Sequence, residues 1–218
     1  MALTDRQIER YSRQIIVPKV GGQAQERLLA TRMILAGEYA DIEAPLAYLA
    51  GAGVGAIDLR GEGEPARMQA LAARMLELNP DVTVAVQAQP GVDVNLVLAL
   101  VVSGRALEEA AALAAAYPRR PFVIARLDGP PRIGVFPSPP PCPRCAGMLT
   151  PAGRSRAEDA PAVAMLATVE AFKLLAGYAT APEAVIIGFE GYESKSHRIE
   201  ADPRCACAVA TGKSHDDR

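Results

Sequence analysis

Apolar positions along this chain switch between helical and strand spacing, and each switch marks an element. Thr4-Asp5-Arg6-Gln7 has the composition of a capping box, and Ile8, Tyr11 and Ile15 follow at helical spacing, which predicts an amphipathic helix over 5–16. Gly21-Gly22 interrupts it, and a second helix is expected over 23–30. Met33-Ile34-Leu35-Ala36 reads as a short buried strand ending at Gly37. Residues 43–52 read as helix, 56–59 as strand and 61–65 as loop. Ala66–Leu78 sets Met68, Leu71, Met75 and Leu78 on one side of a helix that Asn79-Pro80 stops. Strands are expected at 82–86, 95–102, 122–125, 133–136, 185–188 and 195–199. Helices are expected at 107–116 and at 160–176, the latter closed by Gly177. Strands alternating with helices predict an α/β fold whose sheet is mostly parallel in the first half. Without an internal repeat or early compositional break, 1–210 reads as one domain and the polar 211–218 as a disordered tail.

Composition narrows the function classes. Half of the 218 residues are hydrophobic and the formal net charge is −2, so no basic face for nucleic acid is expected. The richest apolar stretch, Leu96–Val102, is strand-length, so no membrane span is expected. Met1–Arg6 opens into polar residues without a secretory pattern, which makes a reducing cytoplasm the expected location. The four cysteines fall in two close pairs, Cys142/Cys145 and Cys205/Cys207. Each short spacing aims two sulfurs at one point, as a tetrahedral thiolate site requires, and a reducing compartment disfavours the disulfide alternative. Structural zinc on Cys142, Cys145, Cys205 and Cys207 is therefore expected. Four thiolates would close the coordination sphere, which argues against a zinc hydrolase. The second pair is one residue tighter than usual, so strain in the tetrahedron or a weakly held metal is a concern. His197, between the pairs, is a substitute for a misplaced Cys207, although a lone histidine is more often a surface residue. Lys195–Arg198 reads as a solvated strand edge, Arg154–Asp159 as an exposed mobile loop, and Met68, Met75 and Met165 as core filling.

Six fragments in order resemble the ubiquitin-activating-enzyme-like ThiF/MoeB/HesA family. They are Arg10-Tyr11-Ser12-Arg13-Gln14, Gly22–Leu28, Tyr48-Leu49-Ala50-Gly51-Ala52-Gly53-Val54-Gly55, Leu78-Asn79-Pro80, Cys142-Pro143-Arg144-Cys145, and Glu170–Gly177. The resemblance implies a Rossmann-like fold with a zinc-bearing C-terminal half. It also implies ATP-dependent adenylation of the C-terminal glycine of a ubiquitin-like or sulfur-carrier protein, by a dimer.

The nucleotide machinery that the family uses departs here at nearly every position. Where the family has a G-x-G-x-x-G turn, this chain has Gly37-Glu38-Tyr39-Ala40-Asp41-Ile42, and only Gly37 remains as a vestigial nucleotide-binding residue. Tyr39 adds bulk, Glu38 and Asp41 add negative charge, and Asp41 is expected to cap the following helix in place of an anion. The acidic strand end falls on Gly61-Glu62-Gly63, where Glu62 or Glu64 is a weak candidate for a ribose contact. The family's phosphate-binding arginine segment has no counterpart, and its lysine becomes Ala66, with Arg67 pointing elsewhere. The magnesium-side aspartates become Val101–Arg105. ATP binding and catalysis are thus expected to be lost. What survives is Arg13, whose family counterpart contacts phosphate across the dimer.

The expected function is a catalytically inactive scaffold or regulatory subunit, a homodimer or a heterodimer with an active homologue, to which Arg13 would be lent. One alternative is an active adenylyltransferase of a carrier-protein C-terminus with a rebuilt site. Another is a module that binds a small β-grasp carrier protein without chemistry.

Overall fold

The computed structural model describes residues 2–18, 20–87, 93–151, 159–178, 183–190 and 193–209. Its elements are α1 (Asp5–Ile15), α2 (Gly21–Leu29), β1 (Arg32–Ala36), α3 (Tyr39–Gly51), β2 (Ala56–Arg60), α4 (Pro65–Leu78), β3 (Thr83–Val86), β4 (Leu96–Val101), α5 (Gly104–Ala116), β5 (Phe122–Arg126), β6 (Arg132–Phe136), α6 (Ala160–Ala176), β7 (Val185–Glu190), β8 (Glu193–Arg198) and α7 (Ala206–Val209). The expected loop at Arg154–Asp159 falls almost wholly outside the described residues, and the expected tail falls wholly outside them.

One eight-stranded sheet has the order β3-β2-β1-β4-β5-β6-β7-β8. Pairings from β3 through β5 are parallel and those from β5 through β8 are antiparallel. Chain order reverses between β1 and β4, so the loops leaving their C-terminal ends diverge and leave a crevice. The unbroken apolar run of β4 follows from burial on both faces. Leu96, Leu98 and Leu100 pack with α2, α3, α4 and α6, while Val97, Ala99 and Val101 pack with α5. Among the described residues, no helix is long and apolar enough to cross a membrane.

Most element boundaries follow local chemistry. Thr4 and Gln7 form the expected capping box on α1. Gly177, at φ +70°, ends α6 in the left-handed conformation. Ser103 starts α5 earlier than periodicity suggested, its hydroxyl accepting from the Ala106 N–H at 3.2 Å. β8 is exposed along its length at the end of the sheet. The short helix α7 was not anticipated. The largest difference is α3, expected from residue 43, which starts at Tyr39.

Four of the six family-like fragments meet in one polar lock. The Asn79 amide donates to the Tyr11 hydroxyl oxygen (2.8 Å) and to the Ala50 carbonyl (2.7 Å). Tyr11 donates to the Asp81 carboxylate, which also pairs with Arg10. Gln14 donates to Gln25 Oε1, and both glutamine amides donate to the Ala52 carbonyl. Gly53 sits at φ +85°, and a Cβ there would lie 2.6 Å from Gln25 Nε2 and 2.8 Å from the Tyr11 ring. Burial raises the Tyr11 phenol above its ordinary pKa. These motif residues therefore seat α1 and α2 on the end of α3. Their contacts are packing contacts that do not require nucleotide.

Candidate functional site

The crevice at the chain reversal is a cleft of about 670 Å³ whose lining includes Gly37, Glu38, Arg60, Glu62, Arg105 and Glu109. Gly37 stands at the end of β1, as expected, and packing explains it. A Cβ there would lie 3.0 Å from Ile42 Cγ2 and 3.1 Å from Leu100 Cβ. Gly61, at φ +125°, brings the loop after β2 into backbone contact, since its Cβ would lie 2.1 Å from the Gly37 carbonyl oxygen. The Gly37 N–H donates to the Arg60 carbonyl and the Tyr39 N–H to the Glu62 carbonyl, each at 3.0 Å. The Asp41 and Ile42 N–H groups donate to the Glu38 carbonyl at 2.9 and 3.1 Å. Ile42 makes the ordinary first bond of the helix, but two of the first-turn amides that would otherwise face a phosphate, those of Tyr39 and Asp41, are occupied by the chain itself.

Several residues differ from expectation here. Asp41 is not the cap of α3. Glu38 holds that position, without a side-chain cap bond, and Asp41 lies in the first turn, buried at 3% exposure. The early helix start causes the shift, and it still leaves a carboxylate where the helix dipole favours negative charge by ~0.3–1 kcal/mol. Arg67 does not point away: its guanidinium stacks on the Tyr39 ring, 4.3 Å from the centroid. Glu62 pairs with Arg105, and Glu64 caps α4 ahead of Pro65. In the cleft, Arg60 and Arg105 stand against Glu38, Glu62, Glu108 and Glu109, two positive charges against four negative. A polyphosphate entering it would meet charge of its own sign.

Arg13, on α1, is exposed and makes no hydrogen bond or ion pair among the described residues. Its sequence neighbour Gln14 is drawn inward by the lock, which orients the helix and leaves Arg13 facing solvent.

The second candidate centre lies in the C-terminal half. The sulfurs of Cys142, Cys145, Cys205 and Cys207 all lie within 4.8 Å of one another. Cys142–Cys145, Cys142–Cys205 and Cys145–Cys207 are separated by 3.9, 3.7 and 3.4 Å. Four sulfurs at ~2.3 Å around a tetrahedral ion stand ~3.8 Å apart, so this set could hold a metal ion. The cysteines are free thiols, far beyond the ~2.05 Å of a disulfide. The tight Cys205-x-Cys207 spacing is accommodated by a turn. Asp202 accepts from the Arg204 N–H at 2.9 Å, the Cys205 N–H donates to the Asp202 carbonyl at 2.9 Å, and α7 begins at Ala206. The Arg204 N–H also holds the Asp202 carboxyl below its ordinary pKa. His197 is not among the clustered ligands; it belongs to β8.

Burial raises the Cys142 thiol. Burial also opposes ionisation of Cys145, but backbone amides of Cys142 and Asp202 and the neighbouring sulfurs outweigh it and bring that thiol down to about 7. Burial and the surrounding sulfurs raise Cys207.

One supporting group was invisible to sequence reasoning. Arg126, at the end of β5, is 1% exposed and grips Asp128 with two bonds of 2.7 Å. Its remaining nitrogen donates to the carbonyls of Met148 (2.9 Å) and Thr150 (2.7 Å), just beyond the first cysteine pair. Met148 is itself buried against the sheet. The first cysteine turn is therefore clamped to the parallel strands by a guanidinium that uses four of its five N–H donors.

No family model matches the chain. A stretch of 59 residues is 46% identical to the adenylyltransferase and sulfurtransferase MOCS3 of Bos taurus, covering 27% of this chain and 13% of that protein. Among solved structures, E. coli MccB with MccA-N7isoASN superposes with a TM-score of 0.70 at 13% identity, over 92% of this chain and 74% of the other. E. coli MccB with ATP gives 0.68 at 14% identity, over 91% and 73%. PaaA gives 0.60 at 18% identity, over 91% and 75%. The fold is thus the ThiF/MoeB-like fold that MccB also has.

Proposed function

We propose that this chain is a catalytically silent subunit built on the activating-enzyme fold, serving as a scaffold or regulatory partner. The observation that carries the proposal is the crossover cleft, where the Glu62 carbonyl takes the Tyr39 N–H at 3.0 Å and glutamates outnumber arginines. Nucleotide sites of this topology work by offering free amides and positive charge to phosphate. Here two of those amides are taken by the chain itself and the charge of the lining is reversed.

The four-cysteine centre is assigned to structural zinc, which would pin the C-terminal segment to the first cysteine turn. Zinc would close its own coordination sphere there and supply no reactive position. Arg13, exposed on a helix held rigid by the lock, is assigned to phosphate contact in a partner's site within a homodimer or a heterodimer with an active homologue. The test is ATP–pyrophosphate exchange with an active homologue encoded nearby. Adding this chain should raise the partner's rate, and Arg13→Ala should abolish the increase. An unchanged rate with Arg13→Ala removes the arginine from the proposal.

A second reading has one observation in its favour. The cleft remains open at about 670 Å³, and the 59-residue match is to an adenylyltransferase. An active enzyme adenylating a carrier C-terminus through a rebuilt site would bind magnesium–ATP in this cleft, and the proposed silent subunit would not.

A further inference from the structure

We propose that the groove over the antiparallel end of the sheet, floored by Gly188 and walled by Arg132, Lys195 and His197, binds a small oxyanion presented as a phosphate or carboxylate group. The proposal does not depend on whether the crossover cleft holds nucleotide.

Strand register assembles this groove. Arg132 of β6 lies opposite Gly188 of β7, and Gly188 lies opposite Lys195 of β8. Residues directly opposite one another project to one face, so Arg132 and Lys195 flank the glycine on the same side of the sheet. His197, two residues beyond Lys195, projects to that face as well. With strands ~4.8 Å apart, the two flanking backbones stand roughly 10 Å from each other, leaving room for one oxyanion between the side-chain heads.

The floor is open because it is glycine. A Cβ at Gly188 would have its nearest neighbour, the Lys195 carbonyl oxygen, at 4.0 Å. Gly134, in the adjoining row, is different: there a Cβ would meet the Phe136 ring at 2.8 Å, so that glycine is already filled from the side. The groove measures about 270 Å³ and is lined by Pro130, Pro131, Arg132, Gly188, Phe189, Lys195 and His197, with no carboxylate among these described residues. Glu193 shares the β8 face but not this lining. A cationic hollow in a chain of net charge −2 is a local departure, opposite in sign to the acidic crossover cleft.

Arg132 carries the argument furthest. It is half-buried, and neither it nor His197 has a side-chain hydrogen bond or ion pair among the described residues. A guanidinium partly removed from water without an acceptor is costly, whereas a phosphate or carboxylate satisfies its fork with two parallel charge-assisted bonds.

The test is titration of the full-length protein with inorganic phosphate, and separately with acetate, followed by backbone amide NMR at low, constant ionic strength. Saturable shifts confined to the amides of Arg132, Gly188, Lys195 and His197 are expected. Apparent affinity should fall at least tenfold in Arg132→Ala and in Gly188→Val, with partial retention in Arg132→Lys. A preference for phosphate identifies a phosphoryl ligand and a preference for acetate identifies a carboxylate. Circular dichroism establishes that each variant is folded. If Gly188→Val fails to fold, Arg132→Ala and Lys195→Ala decide the matter. Absence of saturable local shifts with both anions, or shifts unaltered by both alanine variants, overturns the proposal.

Discussion

Replacing Arg126 by methionine tests how the cysteine centre is joined to the sheet. The wild-type guanidinium makes four bonds, two to Asp128 and one each to the Met148 and Thr150 carbonyls, all between 2.7 and 2.9 Å. Methionine keeps much of the length and apolar volume but leaves Asp128, 8% exposed, as a buried charge without its counterion. Removing one partner of a buried pair costs ~3–5 kcal/mol, because the surviving charge stays desolvated. For a chain of this size each kcal/mol moves the midpoint by ~2–4 °C, so Tm should fall by roughly 6–20 °C. Urea denaturation followed by circular dichroism measures the free energy directly. The double variant Arg126→Met/Asp128→Leu removes both charges and should recover much of the loss, since well-packed apolar replacements of buried pairs are often neutral. Chelator competition supplies a second readout: freeing Met148 and Thr150 loosens the first cysteine turn and should weaken metal retention. A single variant within ~1 kcal/mol of wild type, or a double variant no better than the single, would refute this account of the clamp.

Three further outcomes are expected. With Cys142 and Cys207 raised and Cys145 near 7, at least the first two thiols are protonated at neutral pH. Metal uptake there must release at least these two protons and, as Cys145 protonates below about 7, a third, so apparent zinc affinity should fall by at least about 100-fold, approaching about 1,000-fold, for each pH unit lost below neutrality, as measured by competition with a chromogenic chelator. Asn79→Ala leaves the buried Ala50 carbonyl and Tyr11 hydroxyl short of a donor and should destabilise the chain by ~1–3 kcal/mol in urea titrations. Gly61→Ala places a methyl 2.1 Å from the Gly37 carbonyl oxygen, so the loop contact beside the cleft should break, with lowered Tm and faster amide exchange at Tyr39.

Much of this was legible from the chain because periodicity and capping chemistry are local. The strand at Met33–Ala36, the helix at Ala66–Leu78 and the Gly177 cap depend on neighbours within a few residues. Four cysteines in two pairs announced a common centre, and the sulfurs do meet. The features that were missed depend on distant partners. The first turn of α3 is completed by the Glu62 carbonyl, which no window around Tyr39 contains. Arg126 resembles an ordinary strand end until Met148 and Thr150 fold back onto it. Cys205-x-Cys207 suggested strain because spacing alone does not reveal the turn at Asp202. The basic groove needs residues from three strands brought into register, and only Lys195 and His197 are close in sequence. The family-like motifs carried a different lesson. Tyr11, Gln14, Gly53 and Asn79 belong to a packing lock, so their presence reports the fold and not the nucleotide.

Isothermal titration of the zinc-loaded chain with magnesium–ATP tests the central claim most directly. A cleft in which two first-turn amides are already bonded and glutamates outnumber arginines should give no saturable heat up to ~1 mM nucleotide, equivalent to binding weaker than ~4 kcal/mol. Saturable binding tighter than ~100 μM, about 5.5 kcal/mol, that disappears when Arg60 is replaced by alanine would contradict it.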